Sequence, residues 1–195
     1  YLEEDLESLK LLLLMLADIT PEHDSKLQQL MTDLEHKFTN PINDGNKKVI
    51  IFTAFADTAE YLYDNVSVYV KNNFGLNSAI VTGSVDGKST VSKLKGDLNT
   101  VLTCFSPKSK GRDLFDTIPK EDIDILIATD CISEGQNLQD CDYLINYDIH
   151  WNPVRIIQRF GRIDRIGSKN DYIQLVNFWP DVTLDEYIDL KAKVE

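Results

Sequence analysis

From Val49 onward, short apolar runs without polar alternation trade places with stretches whose apolar residues recur every three or four positions. The runs predict strands over 49–53, 78–82, 123–129, 143–147 and 172–178, and the periodic stretches predict helices over 57–73, 89–98, 153–166 and 183–194. Strands of this kind, separated by helices, imply a mostly parallel sheet covered on both faces, so the expected class is α/β. Before Val49 the pattern is helical only, over 2–19 and 22–38, with Thr20-Pro21 as cap and first-turn proline and Leu27, Leu30, Leu34 and Phe38 along one face. Residues 39–47, Thr-Asn-Pro-Ile-Asn-Asp-Gly-Asn-Lys, are turn formers and read as a connector. The expected organisation is a helical segment over 1–40 and a main domain over 41–195. Residues 99–122, with Pro107, Gly111 and Pro119, fit neither pattern and are expected to form a loop or a variable insertion.

Composition narrows the class. The chain has 195 residues, 43% of them hydrophobic, enough for one good core. No apolar run approaches the roughly 18 residues of a membrane span, since Leu9 to Ala17 is too short and lies in an acidic setting. We expect no signal peptide, and three cysteines without Cys-x-x-Cys spacing read as reduced thiols, so a cytoplasmic location is expected. His23, His36 and His150 are scattered, and no metal site is expected. A net charge of −12 and a pI near 4.6 argue against a whole-surface nucleic-acid binder, so any such contact must be local. The chain begins at Tyr1 rather than Met, and we expect it to be a piece of a longer polypeptide.

One local concentration of positive charge runs against that acidic background. Residues 152–168 hold Arg155, Arg159, Arg162 and Arg165 in a segment that Asn152 can cap, Pro153 can open and Gly167 can close. At about 100° per residue the four arginines share an arc of roughly 120°, with Ile156, Ile157, Phe160 and Ile163 almost opposite. Several planar, permanently charged forks on one face suit a phosphate chain. Gly161 in mid-helix costs about 1 kcal/mol relative to Ala, which suggests a close approach to the backbone.

The stretch Gln158-Arg159-Phe160-Gly161-Arg162-Ile163-Asp164-Arg165-Ile166-Gly167 resembles motif VI of superfamily 2 helicases and translocases, in the form found in the SWI/SNF-like and RapA-like branch. Residues 125–138, Ile-Leu-Ile-Ala-Thr-Asp-Cys-Ile-Ser-Glu-Gly-Gln-Asn-Leu, resemble motif V, and 49–62 resemble motif IV with its following helix. The resemblance implies a three-layer RecA-like domain of P-loop NTPase type, the second of two lobes. Gly83-Ser84-Val85-Asp86-Gly87-Lys88-Ser89 has three residues between its glycines where a Walker A loop needs four, and no Asp-Glu-x-[His/Asp] run is present. ATP and Mg2+ are therefore expected to be held mainly by a first RecA-like lobe of the same polypeptide.

By match to motif VI, Arg162 and Arg165 become the catalytic candidates, arginine fingers that stabilise charge spreading over the γ-phosphate oxygens. Gln158 corresponds to the residue linking the site across the cleft, and Gly135 and Asn137 to the nucleotide side, with Asn137 as a local turn former the alternative. Arg159 has two equal readings, a phosphate contact and an ion pair inside the lobe. Thr129, Gly83, Ser84 and Lys88 are the nucleic-acid candidates, the turn at Gly83-Ser84 being equally readable as structural. Lys88, Lys93, Lys95, Lys108, Lys110 and Arg112 form a second basic run, either a phosphate track or a solvated face. The branch favours double-stranded DNA as partner. The expected function is the second lobe of an ATP-hydrolysing helicase or translocase, with the fragment alone inactive; the alternative is a non-catalytic interaction module that keeps the fold.

Overall fold

A computed structural model describes residues 2–17, 20–83, 87–92, 94, 97–132, 135–149 and 152–179. The chain divides into two compact units, Tyr1–Thr39 and Asn40–Glu195. The first holds α1 (Leu2–Ala17) and α2 (Ser25–Thr39) with a 3-10 turn at Pro21–His23 between them. Thr20-Pro21 opens that turn rather than α2: the His23 amide donates to the Thr20 carbonyl at 2.9 Å. The carboxylate of Asp24 caps α2 instead, accepting from the amides of Lys26 and Leu27 at 3.0 Å each. Leu27, Leu30, Leu34 and Phe38 are buried, as their spacing predicts.

In the second unit six strands form one sheet: β1 (Val49–Phe52), β2 (Ser78–Val81), β3 (Lys88–Ser89), β4 (Ile125–Ala128), β5 (Tyr143–Asn146) and β6 (Gln174–Asn177). Their order is β3-β2-β4-β1-β5-β6, parallel throughout except for β3, which pairs antiparallel with β2. All four residues of β1, β2, β4 and β5 are buried, as expected of strands covered on both faces. Ile50, Phe52, Leu126, Ala128 and Leu144 pack with Val101, Leu102 and Phe105 of α4 (Leu98–Phe105) and with Ile163. On α3 (Ala56–Phe74), Ala59, Leu62, Val66 and Val70 are buried, and the helix packs on β2 and β4. It ends at Gly75, whose φ of +68° places it in the left-handed region.

Two expected helices are corrected. Among the described residues of the stretch 89–98 only Leu98 is helical, because the edge of β2 recruits the start of the stretch: the Ser78 amide donates to Thr90 Oγ1 and the Thr90 amide to the Ser78 carbonyl, both at 2.9 Å. Helix formation waits for Asp97, whose side chain accepts from the Thr100 amide, so α4 occupies the start of the stretch read as a loop over 99–122. The second correction is that α5 spans Pro153–Phe160 rather than 153–166. Asn152 does cap it, accepting from the Val154 amide at 3.0 Å, but the helix stops at Gly161, and Gly167, at φ +92°, shapes a later turn. The expected helix over 183–194 lies outside the described residues.

Candidate nucleotide and nucleic-acid site

Only Arg155 and Arg159 lie on α5, which ends at Phe160, so the four arginines do not share one helix face. Arg155 and Arg165 are exposed, whereas Arg159 and Arg162 are buried at 1% and 6% exposure. The expected apolar face is corrected with them: Ile156 and Ile163 are buried, but Ile157 is 68% exposed.

Arg159 is the hub of the carboxyl ends of the strands. Its Nε and Nη2 donate to the two carboxylate oxygens of Asp130, just past β4, at 2.8 and 2.9 Å. Its Nη1 donates to Asn146 Oδ1 at the end of β5, at 2.9 Å, and to the Asp148 carbonyl at 3.3 Å, while the guanidinium lies 5.0 Å from the ring centroid of Phe52, the last residue of β1. Asn146 then donates to Asn177 Oδ1 on β6 at 2.8 Å. A bidentate fork whose flat face rests on an aromatic ring is a contact lysine cannot copy. Of the two readings of Arg159, the ion pair inside the domain is the one observed, and it gives Asp130 a structural partner.

Beside this hub the chain from β1 leaves toward β2 and the chain from β5 leaves toward β6, so adjacent strands diverge at their carboxyl ends. Such a divergence opens the crevice in which parallel sheets bind ligands. Thr53 Oγ1 bridges it by donating to Asp148 Oδ2. Neither Thr53 nor Asp148 was singled out from the sequence, where each reads as an ordinary residue after a strand.

The motif V and motif VI segments are joined further along. The Leu138 amide donates to the Arg162 carbonyl at 3.0 Å, and Asn170 Nδ2 donates to the carbonyls of Gln139 and Cys141 at 2.9 and 3.3 Å. The segment 161–167 is thus pinned at both ends. Arg165 lies within it, exposed, with its Nε donating to the Gly161 carbonyl at 3.1 Å.

A model of the helicase conserved C-terminal domain matches residues 25–167 of this chain. The chain belongs to that family. It is 44% identical over 77 residues to an ATP-dependent helicase, YqhH, of Bacillus subtilis, covering 40% of this chain and 13% of that protein. It is 26% identical over 152 residues to the putative ATP-dependent DNA helicase fml2 of Schizosaccharomyces pombe, covering 77% of the chain and 17% of the relative. With the ATP-dependent RNA helicase RhlB of Xanthomonas axonopodis it shares 30% identity over 100 residues, 49% of the chain and 17% of that protein. The chain therefore spans less than a fifth of the length of these relatives. Among solved structures, the C-terminal part of the Fun30 ATPase domain superposes with a TM-score of 0.54 at 17% identity, over 87% of this chain and 45% of that one, which shows a shared fold.

Within this helicase C-terminal domain the remaining candidates fall as follows. Thr129 follows β4 and is buried, its amide donating to the Val81 carbonyl at 3.2 Å. Gly83 lies beside it: a Cβ added there would stand 3.3 Å from Cys131 Cβ, so the turn after β2 and motif V are in contact. Lys88 is exposed on β3, opposite Ile80, at the edge of the sheet. Gly135 has φ +88°, Asn137 Oδ1 accepts from the Gln139 amide at 3.2 Å in the local turn its alternative reading foresaw, and Gln158 is half-buried on α5. Ser84, Lys93 and Lys95 lie outside the described residues.

The second basic run is not a uniform face. Arg112 Nη1 donates to Asp122 at 2.7 Å, where Lys48 also donates at 3.1 Å, and Lys110 Nζ donates to Gln136, with burial lowering its pKa from the ordinary lysine value. A cavity of about 680 Å³, lined by Asn46, Lys48, Asp124, Asp140 and Asn170, sits at the amino ends of the strands, away from the Arg159 hub.

Proposed function

We propose that this domain is the second RecA-like lobe of an ATP-dependent superfamily 2 helicase or translocase of SWI/SNF-like type, working on double-stranded DNA. Arg165 and Arg162 serve as arginine fingers, Gln158, Gly135 and Asn137 face the nucleotide, and Thr129, Gly83, Ser84 and Lys88 contact the nucleic acid. The observation that carries the reading is the pinning of segment 161–167 between Arg159 and Asn170, with Arg165 left exposed on it.

A guanidinium exposed to solvent fits a polyphosphate, and ATP with its Mg2+ supplies the transferable phosphoryl group when held mainly by a first lobe. Arg165 then neutralises charge developing on the phosphoryl oxygens. A well-placed finger is worth about 10³–10⁵ in rate, or roughly 4–7 kcal/mol of barrier. Arg162, now buried, reaches the same charge only if its side chain swings outward, so lobe closure and hydrolysis are linked. That burial is also the observation that favours the other reading, a non-catalytic interaction module.

One experiment separates them. In the full-length polypeptide, Arg165→Ala and Arg162→Ala are expected to abolish nucleic-acid-stimulated ATP hydrolysis while nucleotide binding, measured by fluorescence titration, stays within about twofold. Unchanged turnover in both variants would refute the finger assignment, and a parent polypeptide without nucleic-acid-stimulated turnover would leave only the non-catalytic module.

A further inference from the structure

The turn that carries Arg165 is tied by a continuous run of hydrogen bonds to the loop that opens the second unit. Arg165 accepts at its carbonyl from the Ser168 amide at 3.1 Å; Ser168 Oγ accepts from the Asn170 amide at 3.2 Å; Asn170 Oδ1 accepts from Asn46 Nδ2 at 2.9 Å. Asn46 is anchored in turn, because its Oδ1 accepts from the Lys48 amide at the start of β1 and its Nδ2 also donates to the Asp140 carbonyl, each at 2.9 Å. Asn43, in the same loop, fastens the next stretch: its Oδ1 accepts from the amides of Asp171 and Tyr172 at 3.0 and 3.1 Å, and its Nδ2 donates to Asp142 at 2.7 Å and to the Tyr172 carbonyl at 2.8 Å.

We propose that Asn46, Asn170 and Ser168 form a positioning relay that holds the Arg165 turn in register with β1, so that displacement of the loop 40–47 is felt at Arg165. The proposal rests on reading Arg165 as a finger. A side-chain amide suits this task because it donates and accepts at once, letting one residue join three backbone segments. These contacts lie at the amino ends of the strands, remote from the Arg159 hub, so the finger segment has two independent anchors. Arg159 fixes where it begins, and the asparagines fix where it ends.

The relay is tested by hydrogen exchange on this chain and by turnover of the full-length polypeptide. Ser168→Ala should speed amide exchange across 163–172 about tenfold, and Asn170→Ala, which removes three side-chain hydrogen bonds, at least as much, with β1 and β4 unchanged in both. Asn46→Asp keeps the acceptor for Lys48 but loses the Nδ2 donor, so it should loosen the same amides without opening the loop. In the full-length polypeptide each variant should lower kcat for nucleic-acid-stimulated hydrolysis several-fold with KM for ATP unchanged, and Asn46→Asp/Asn170→Ala should be no worse than the weaker single. Native exchange across 163–172, or faster exchange with unchanged kcat, would overturn the relay. Arg165→Ala, assayed alongside, judges the finger reading separately, because the exchange result does not depend on it.

Discussion

The ion pair between Arg159 and Asp130 should be the costliest polar contact in the domain to break, and the two halves should break differently. Asp130→Ala leaves a guanidinium at 1% exposure with Asn146 Oδ1, the Asp148 carbonyl and the Phe52 ring as its remaining company. Removing one partner of a buried pair costs about 3–5 kcal/mol, and those surviving contacts place this variant near the lower end. Arg159→Ala is less severe electrostatically, because the Asp130 side chain is 27% exposed and can rehydrate. It still strands Asn146 Oδ1 and strips the stem from Phe52, so about 2–3 kcal/mol is expected. Removing both groups leaves no uncompensated charge, and the double variant should recover about 1.5–3 kcal/mol relative to the sum of the singles. Urea unfolding of the two singles and the double, followed by far-UV circular dichroism, gives all three values. Additivity within about 0.5 kcal/mol would show that the contact carries no coupling and would refute the hub.

Two further outcomes follow from local geometry. Gly75→Ala should lower stability by about 1 kcal/mol in the same unfolding assay, because the site is open in space but its φ of +68° strains any side chain. Burial raises the pKa of Asp124 from its ordinary carboxyl value, against the lowering effect of the Asn77 amide and Lys48. Its contribution is therefore fully present below the unfolded-state pKa and is lost as pH rises through the folded value. Asp124→Asn, which keeps an acceptor for the Asn77 amide, should gain stability relative to the parent as pH rises above the ordinary carboxyl pKa of about 3.9; a difference that stays constant through that rise would contradict the burial argument.

The strands were legible because all four residues of β1, β2, β4 and β5 needed cover on both faces, and unbroken apolar runs say so directly. The helix over 89–98 was misread for the opposite reason. Local apolar spacing cannot register that the free edge of β2 offers Ser78 as partner to Thr90, a contact worth more than one turn of marginal helix. Asn43 and Asn46 were legible only as turn formers, since a short polar side chain carries no sign of the segments, more than 90 residues away, that it will join.

Motif VI shows the division most clearly. Residue order alone was enough to specify an arginine-bearing segment with an asparagine cap and a proline start, because caps act over a few residues through the backbone, but it put the stop at Gly167 where the helix ends at Gly161. Which arginine becomes structural and which stays available was decided by tertiary contacts. Helix α5 stops at Phe160, Leu138 takes the Arg162 carbonyl, and Asp130 waits at the end of β4 to receive Arg159. A charge inside a protein takes its role from the groups that desolvate and pair it, and those groups come from distant strands that only folding brings together.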